Sequence, residues 1–310
     1  FDQGVHIKPF PVEARSPSAA ADLLWVALDP SETAVVRAAG RLPEAPTGSD
    51  EQKGLYRVSE AELPGLAAFM HETFNRCGGF FTYRTKDEAE AGLAPVAVKS
   101  GGPYSIDQKA FIDPLVAQVQ EGAIRATIES MSAYHTRYYA SETGVDAARW
   151  LQGRWQELAA KIPGASTQLV AHKGWKQPSV VLTIPGVEKP DEIVVLGGHL
   201  DSIVQGGGSA RSPGADDNAS GIAVLTEAVR VLGASGLRPR RTIQFMAYAA
   251  EEVGLRGSQD LAKQAARDGK KVIAYIRSLL PLPTQYRDEL FRKLSTLSRS
   301  ILYGVFGAAV

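Results

Sequence analysis

Near-continuous apolar runs and helically spaced apolar positions alternate through the second half of the chain. The runs IVVLGG (193–198) and TIQFMAY (242–248) have the texture of strands buried on both faces. Between them, residues 221–232 (GIAVLTEAVRVL) place their apolar side chains at helical spacing, with Ser220 or Asn218 positioned to cap them. A second helix is expected over LRGSQDLAKQAARDG (255–269), followed by a strand in KVIAYIRSLL (271–280). Strand, helix, strand, helix predicts a three-layer α/β/α unit around a mainly parallel sheet. Ahead of it, TQLVAH (167–172) and SVVLTI (179–184) read as a hairpin or meander.

Further upstream the texture is helical. Residues 111–134 space Leu115, Val119, Ile124 and Ile128 like one helix face, and residues 145–162 align Trp150, Leu151, Trp155, Leu158 and Ile162. An aromatic stripe at that spacing is core packing rather than a ligand box. The first hundred residues form a smaller α+β unit. LLWVALDP (23–30), TAVVRAAG (33–40) and FFTYRT (80–85) are expected as strands. A helix is expected to start at Ser59, with Glu62 completing a capping box, and to run to Gly78. The stretch KSGGPYSID (99–107) is expected as a linker. The division is therefore 1–103, 104–277 and a tail, 278–310.

Chemistry gathers at the ends of the apolar runs. His199 and Asp201 follow IVVLGG, Asp216 and Asp217 precede the helix at 221, and Glu251 and Glu252 follow TIQFMAYAA. In open α/β sheets the carboxyl ends of strands are where ligands bind, so these three places can converge. Each has a plain structural role open to it: an aspartate caps a helix, and a histidine ends a strand. Two adjacent glutamates after a buried strand are harder to explain that way, because like charges there need a cation or full solvation.

Imidazole and carboxylates without thiolate suit zinc or a similar divalent ion. His199 is then a ligand of one metal, with Asp201 accepting its other N–H. Asp217 bridges two metals, and Glu252 binds the second. Glu251 acts as general base on the attacking water. Asp216 is left as a cap or supporting group. His6, His71, His135 and His172 are assigned no role: a lone histidine on a helix, or at a strand end, ordinarily belongs to packing or surface.

Charge narrows the partners. Lys and Arg together number 34, matched by 34 Asp and Glu, so no global field points to nucleic acid or an anionic membrane. The lone Cys77 excludes an internal disulfide and a cysteine zinc cluster. The start FDQGV has no methionine and no apolar signal core, so a signal peptide, if there was one, is already gone, and the chain is expected to be monomeric.

The motifs GGHLDS (197–202), PGADDNASG (213–221) and AYAAEEVGLRGS (247–258) resemble the secreted bacterial leucyl aminopeptidases, a family of co-catalytic dizinc metallopeptidases. The resemblance runs from about Tyr104 to Ala274 and takes in TRYYASETG and the helix ending in KIPGAS. It implies a zinc-exopeptidase fold, two Zn2+ ions, and His199, Asp217 and Glu252 as ligands with Glu251 as base. It also implies release of leucine and other large apolar residues from peptides with a free N-terminus. Residues 1–103 resemble the family's propeptide, which is removed on maturation and acts as chaperone or inhibitor.

The chain departs from the family at two ligands. Where the family places an Asp after the next strand, Ser278 and Leu279 stand, and no histidine follows His199. From Tyr275 onward the likeness ends. Sharing Asp217, the chain offers two protein ligands per metal. Three readings follow: an aminopeptidase precursor, a non-catalytic fragment or binding protein of the same fold, and a related metallohydrolase such as a carboxypeptidase or glutaminyl cyclase.

Overall fold

The computed structural model describes residues 23–43, 45–74, 79–94, 109–204 and 209–277. The linker at 99–107, His6, Cys77 and the tail from 278 onward lie outside the described residues. Two sheets organise the rest.

The first is small. Strand β1 (Leu23–Ala27) lies between β2 (Leu55–Ser59) and β3 (Phe81–Tyr83), antiparallel to both. Around it lie α1 (Pro30–Ala38), α2 (Gly48–Gln52), α3 (Leu63–Phe74) and α4 (Lys86–Gly92). The segment TAVVRAAG is therefore helix and not strand. Asp29 caps α1 through Ser31 N at 2.9 Å, Pro30 occupies the first turn, and Glu32 and Arg37 match the helix dipole at their respective ends. Those local signals outweigh the β-branched Val35–Val36 pair, of which only Val36 is buried. At α3 the expected capping box is present: Ser59 N donates to Glu62 Oε2 at 3.1 Å. A short 3-10 turn, Glu60–Glu62, comes before the α-helix proper.

The helical stretch at 111–134 is broken into α5 (Lys109–Val116) and α6 (Glu121–Ser132). Gln120 N donates to the Glu227 carboxylate at 2.6 Å, so the break is held from a distant helix. Next comes α7 (Glu142–Leu158), whose Trp155 is fully buried and donates from Nε1 to Thr226 Oγ1 at 2.9 Å.

The second sheet has the order β4-β5-β7-β6-β8, with β4 (Ser166–Val170), β5 (Ser179–Ile184), β6 (Lys189–His199), β7 (Arg241–Tyr248) and β8 (Lys271–Arg277). β6 pairs parallel with β7 and with β8, while β4 and β5 extend the β7 side as an antiparallel pair. Helix α8 (Gly221–Ser235) is the crossover between β6 and β7, and α9 (Arg256–Arg267) that between β7 and β8. The fold is thus the expected α/β class, with its parallel part at β7-β6-β8. One main core joins α5 to α8 with the sheet, and almost every residue of α8 from Gly221 to Gly233 is buried. Among the described residues no helix is long and apolar enough to cross a membrane.

The smaller core matters most for the site. It joins Leu63, Leu66 and Met70 of α3 to Tyr139, and to Ala250 and Val253 on either side of the Glu251–Glu252 pair. The N-terminal unit is packed directly on the turn that carries those glutamates.

Candidate metal centre

The parallel register sets the convergence: His199 at the end of β6 lies opposite Tyr248 at the end of β7. Leu200 N then donates to Tyr248 O at 2.7 Å, and the two strand-end loops leave together. Asp201 ties them. Its Oδ1 accepts from Glu251 N at 2.9 Å and its Oδ2 from Glu252 N at 3.2 Å. The His199 Nδ1–H reaches the Asp201 backbone carbonyl at 3.1 Å, with the Asp201 carboxylate farther off at 3.7 Å. The carboxylate also accepts from the two backbone N–H groups that orient the glutamates, and its hydrogen bonding helps to raise His199.

Asp217 lies in an irregular turn, Ala215–Ser220, where Asp217 and Asn218 leave helical backbone angles. The side-chain oxygen of Asn218 accepts from Gly221 N at 3.0 Å and so caps the start of α8. Asp216 instead offers its backbone carbonyl to Ser220 Oγ at 2.5 Å. The turn begins at Gly214, at φ +48°, where an added Cβ would fall 2.7 Å from the Arg137 guanidinium and 2.5 Å from Asp217 O.

The Asp217 carboxylate divides between two histidines. Its Oδ1 is 2.7 Å from His199 Nε2, and its Oδ2 is 3.7 Å from His71 Nδ1. His71 Nε2 is in turn 3.0 Å from Glu252 Oε2, and Glu251 Oε2 is 3.9 Å from His199 Nε2. The sequence reading gave His71 no role. It stands in the centre of the site, brought there by a helix separated from Glu252 by 181 residues, a pairing with no local signature. His199, Asp201, Glu251 and Glu252 are each at most 2 % exposed.

Two further residues are more than sequence spacing implied. Arg137, in the loop after α6, is fully buried. Its guanidinium donates to the carbonyls of Leu200 at 2.9 Å, Met131 at 3.2 Å and Gly214 at 2.9 Å, and also to Pro213. It thus clamps the loop after β6 to the turn that carries Asp217. His172, expected to face solvent, is almost wholly buried instead. It stacks on Trp175 and bridges Asp260 at 3.1 Å to Ser179 at 2.7 Å, bracing the end of β5. His135 is exposed, 3.1 Å from Ser209 O, in keeping with loop packing.

The electrostatics follow from three buried carboxylates and the partly exposed Asp217 in one place. Burial, followed by the Asp217 charge, pushes Glu252 up to about 8. Burial opposes the charged form of His199, yet Glu251 and Asp217 outweigh it and raise the imidazole well above its ordinary value. His71 is likewise raised, Glu252 overcoming its desolvation. Desolvation lowers the Arg137 guanidinium to about 10 against the pull of Asp201, Glu252 and Asp217.

The donor set fits a divalent cation. Imidazole nitrogens and carboxylate oxygens converge without thiolate, and one carboxylate faces two directions, as a bridging ligand must. Beside it lies a cleft of about 480 Å³, with Asp217 and Glu252 at one wall, Ile203, Val204 and Pro213 at another, and Ala68, His71 and Glu72 of α3 closing it.

These features coincide with a known family. The model of peptidase family M28 matches residues 179–278. A probable leucine aminopeptidase of Arthroderma otae is 30% identical over 253 residues, covering 79% of this chain and 67% of that protein. The chain belongs to peptidase family M28. A probable leucine aminopeptidase of Arthroderma benhamiae is 36% identical over 202 residues, and there the chain spans 56% of the relative's length. The crystal structure of the LapA aminopeptidase of Legionella pneumophila superposes with a TM-score of 0.68 at 27% identity, covering 82% of this chain and 69% of that one.

Two outcomes are expected of this geometry. Arg137→Met leaves buried carbonyls and carboxylates without their cation, and should lower the unfolding free energy by about 3–5 kcal/mol in urea titrations. A change below about 0.5 kcal/mol, the range of ordinary surface substitutions, would contradict the clamp. The second concerns pH. A carboxylate raised from 4.5 to about 8 costs stability as pH rises between those values. Imidazoles raised on folding contribute stability below their unfolded pKa and lose it as pH climbs through the folded one. All three act in one direction, so the urea midpoint of metal-free chain should fall between about pH 5.5 and about pH 8.5. A flat or rising midpoint would refute it.

Proposed function

We propose that the cleft is the active site of a zinc metallo-aminopeptidase that hydrolyses the N-terminal peptide bond of peptides, favouring leucine and other large apolar residues. The observation that carries the reading is the divided Asp217 carboxylate, facing His199 with one oxygen and His71 with the other. His199, Asp217 and Glu252 would hold the metal. Bound zinc supplies Lewis-acid activation of water and of the scissile carbonyl.

The chain's own residues do the rest. Glu251, its backbone fixed by Asp201, accepts the proton of the attacking water and returns it to the leaving amine. The cationic α-amine of the substrate is drawn to the carboxylates of Asp217 and Glu252, which line the cleft. Ile203, Val204 and Pro213 offer the apolar wall against which a leucine side chain packs. Helix α3 narrows the same cleft with Ala68, His71 and Glu72, which supports reading the N-terminal unit as the inhibitory segment of a precursor. Among the other metallohydrolase chemistries, a demand for a free substrate amine singles out the aminopeptidase.

Glu251→Gln should lower kcat on a leucine anilide by about 10²–10⁴-fold with KM and zinc content little changed, the range of a lost general base. N-acetylation of the substrate should abolish turnover in the unaltered chain. Equal rates with and without the acetyl group, or with and without Glu251, would overturn the proposal.

A further inference from the structure

We propose that His71, carried by α3 of the N-terminal unit, is a metal ligand, and that His71, Asp217 and Glu252 together hold one divalent cation across the seam between the two units. The inference rests on the metallopeptidase reading of the same cleft and adds a ligand to it from outside the matched family segment, 179–278.

Geometry is the first support. One donor atom from each of the three side chains lies within 4.8 Å of the others. Zinc held tetrahedrally at its usual N and O distances has neighbouring ligand atoms about 3.4 Å apart. The His71 Nε2–Glu252 Oε2 separation of 3.0 Å is a little short of that edge, and the Asp217 donor atom lies within the same 4.8 Å group. Only one ring nitrogen can ligate, and Nε2, close to Glu252, is the better placed.

Donor count is the second. With Asp217 shared, the Glu252 side has two protein donors, whereas a catalytic zinc takes three and keeps a position open. His71 offers the third donor there, an imidazole nitrogen beside both carboxylates. Among the described residues, His135 is bonded at Ser209 and His172 at Asp260 and Ser179. Among the described residues, His199 reaches Asp217 and Glu251, and His71 reaches Asp217 and Glu252.

The position of His71 is fixed by packing rather than by a chance surface encounter. Met70, beside it, is fully buried in the core that also holds Ala250 and Val253. From β3, Thr82 N donates to Gly254 O at 3.2 Å and Thr82 Oγ1 to Val253 O at 3.1 Å. A Cβ at Gly254, which has φ +103°, would fall 2.8 Å from Thr82 N, so the approach requires glycine. Arg256 pairs with Glu60 at 2.6 Å, and Glu60 also accepts from the Tyr139 hydroxyl at 3.0 Å. Docking of the N-terminal unit and retention of this metal are therefore linked, each strengthening the other.

The test is metal affinity in the full chain, read without turnover. Zinc is measured by competition with a chromophoric chelator, and cobalt(II) by its visible absorption, for unaltered chain, His71→Ala, His71→Gln and Asp217→Asn. Circular dichroism checks that each variant folds; the glutamine variant keeps the reach and hydrogen bonding of the side chain if the alanine variant does not fold. Loss of a ligand should weaken one metal at least as much as loss of a supporting group, about 10–100-fold, and alter the cobalt spectrum. Asp217→Asn should weaken binding in both positions. Unchanged affinity and spectrum in both His71 variants, with loss in Asp217→Asn, would overturn the ligand and leave the metallopeptidase reading standing. Unaltered chain that binds no metal, or Asp217→Asn that binds as well as it, would overturn both.

Discussion

Negative charge gathered out of water is the constraint on which this structure turns. Asp201, Asp217, Glu251 and Glu252 converge where two parallel strands end, and three of them are nearly inaccessible. Such a cluster cannot persist without positive charge or aligned N–H groups around it. The chain supplies the buried Arg137 beneath the loops, His199 beside Asp217, and the backbone N–H groups of Glu251 and Glu252 pointed at Asp201. On the cleft side, between Asp217 and Glu252, the compensating group is an imidazole or, in our reading, a metal with that imidazole among its ligands.

The rest of the architecture holds this arrangement in register. The parallel β6–β7 pairing places His199 level with Tyr248, and the buried helix α8 fixes where the Asp217 turn begins. Arg137 fastens that turn to the loop after β6, acting as a single bolt through three segments of backbone. The N-terminal unit is part of the same construction: its core includes residues on both sides of the Glu251–Glu252 pair. The smaller sheet and the larger one are thus joined at the place where the chemistry lies.

Much of this was legible in the residues alone, for a physical reason. Buried strands, crossover helices and strand-end carboxylates leave local patterns, and β6, α8, β7 and α9 lie where those patterns place them. The failures share a different cause. TAVVRAAG has the β-branched pair of a strand, but the Asp29–Pro30 cap ahead of it starts a helix. His71, His172 and Arg137 carry no local sign of their roles, because what defines each lies far along the chain: Glu252, Asp260 and Leu200. Asp201 stands two residues after His199 and so lies beside the imidazole, whereas no sequence pattern shows that its oxygens also meet two backbone N–H groups.

The central claim is that the divided Asp217 carboxylate marks a metal centre. Anomalous diffraction at the zinc edge, from crystals of the full chain grown with zinc, tests it most directly. The account predicts anomalous density against Asp217, with a peak between Asp217, Glu252 and His71. Electron density in which His71 and His199 contact the carboxylates directly, with no anomalous peak at Asp217, would contradict it.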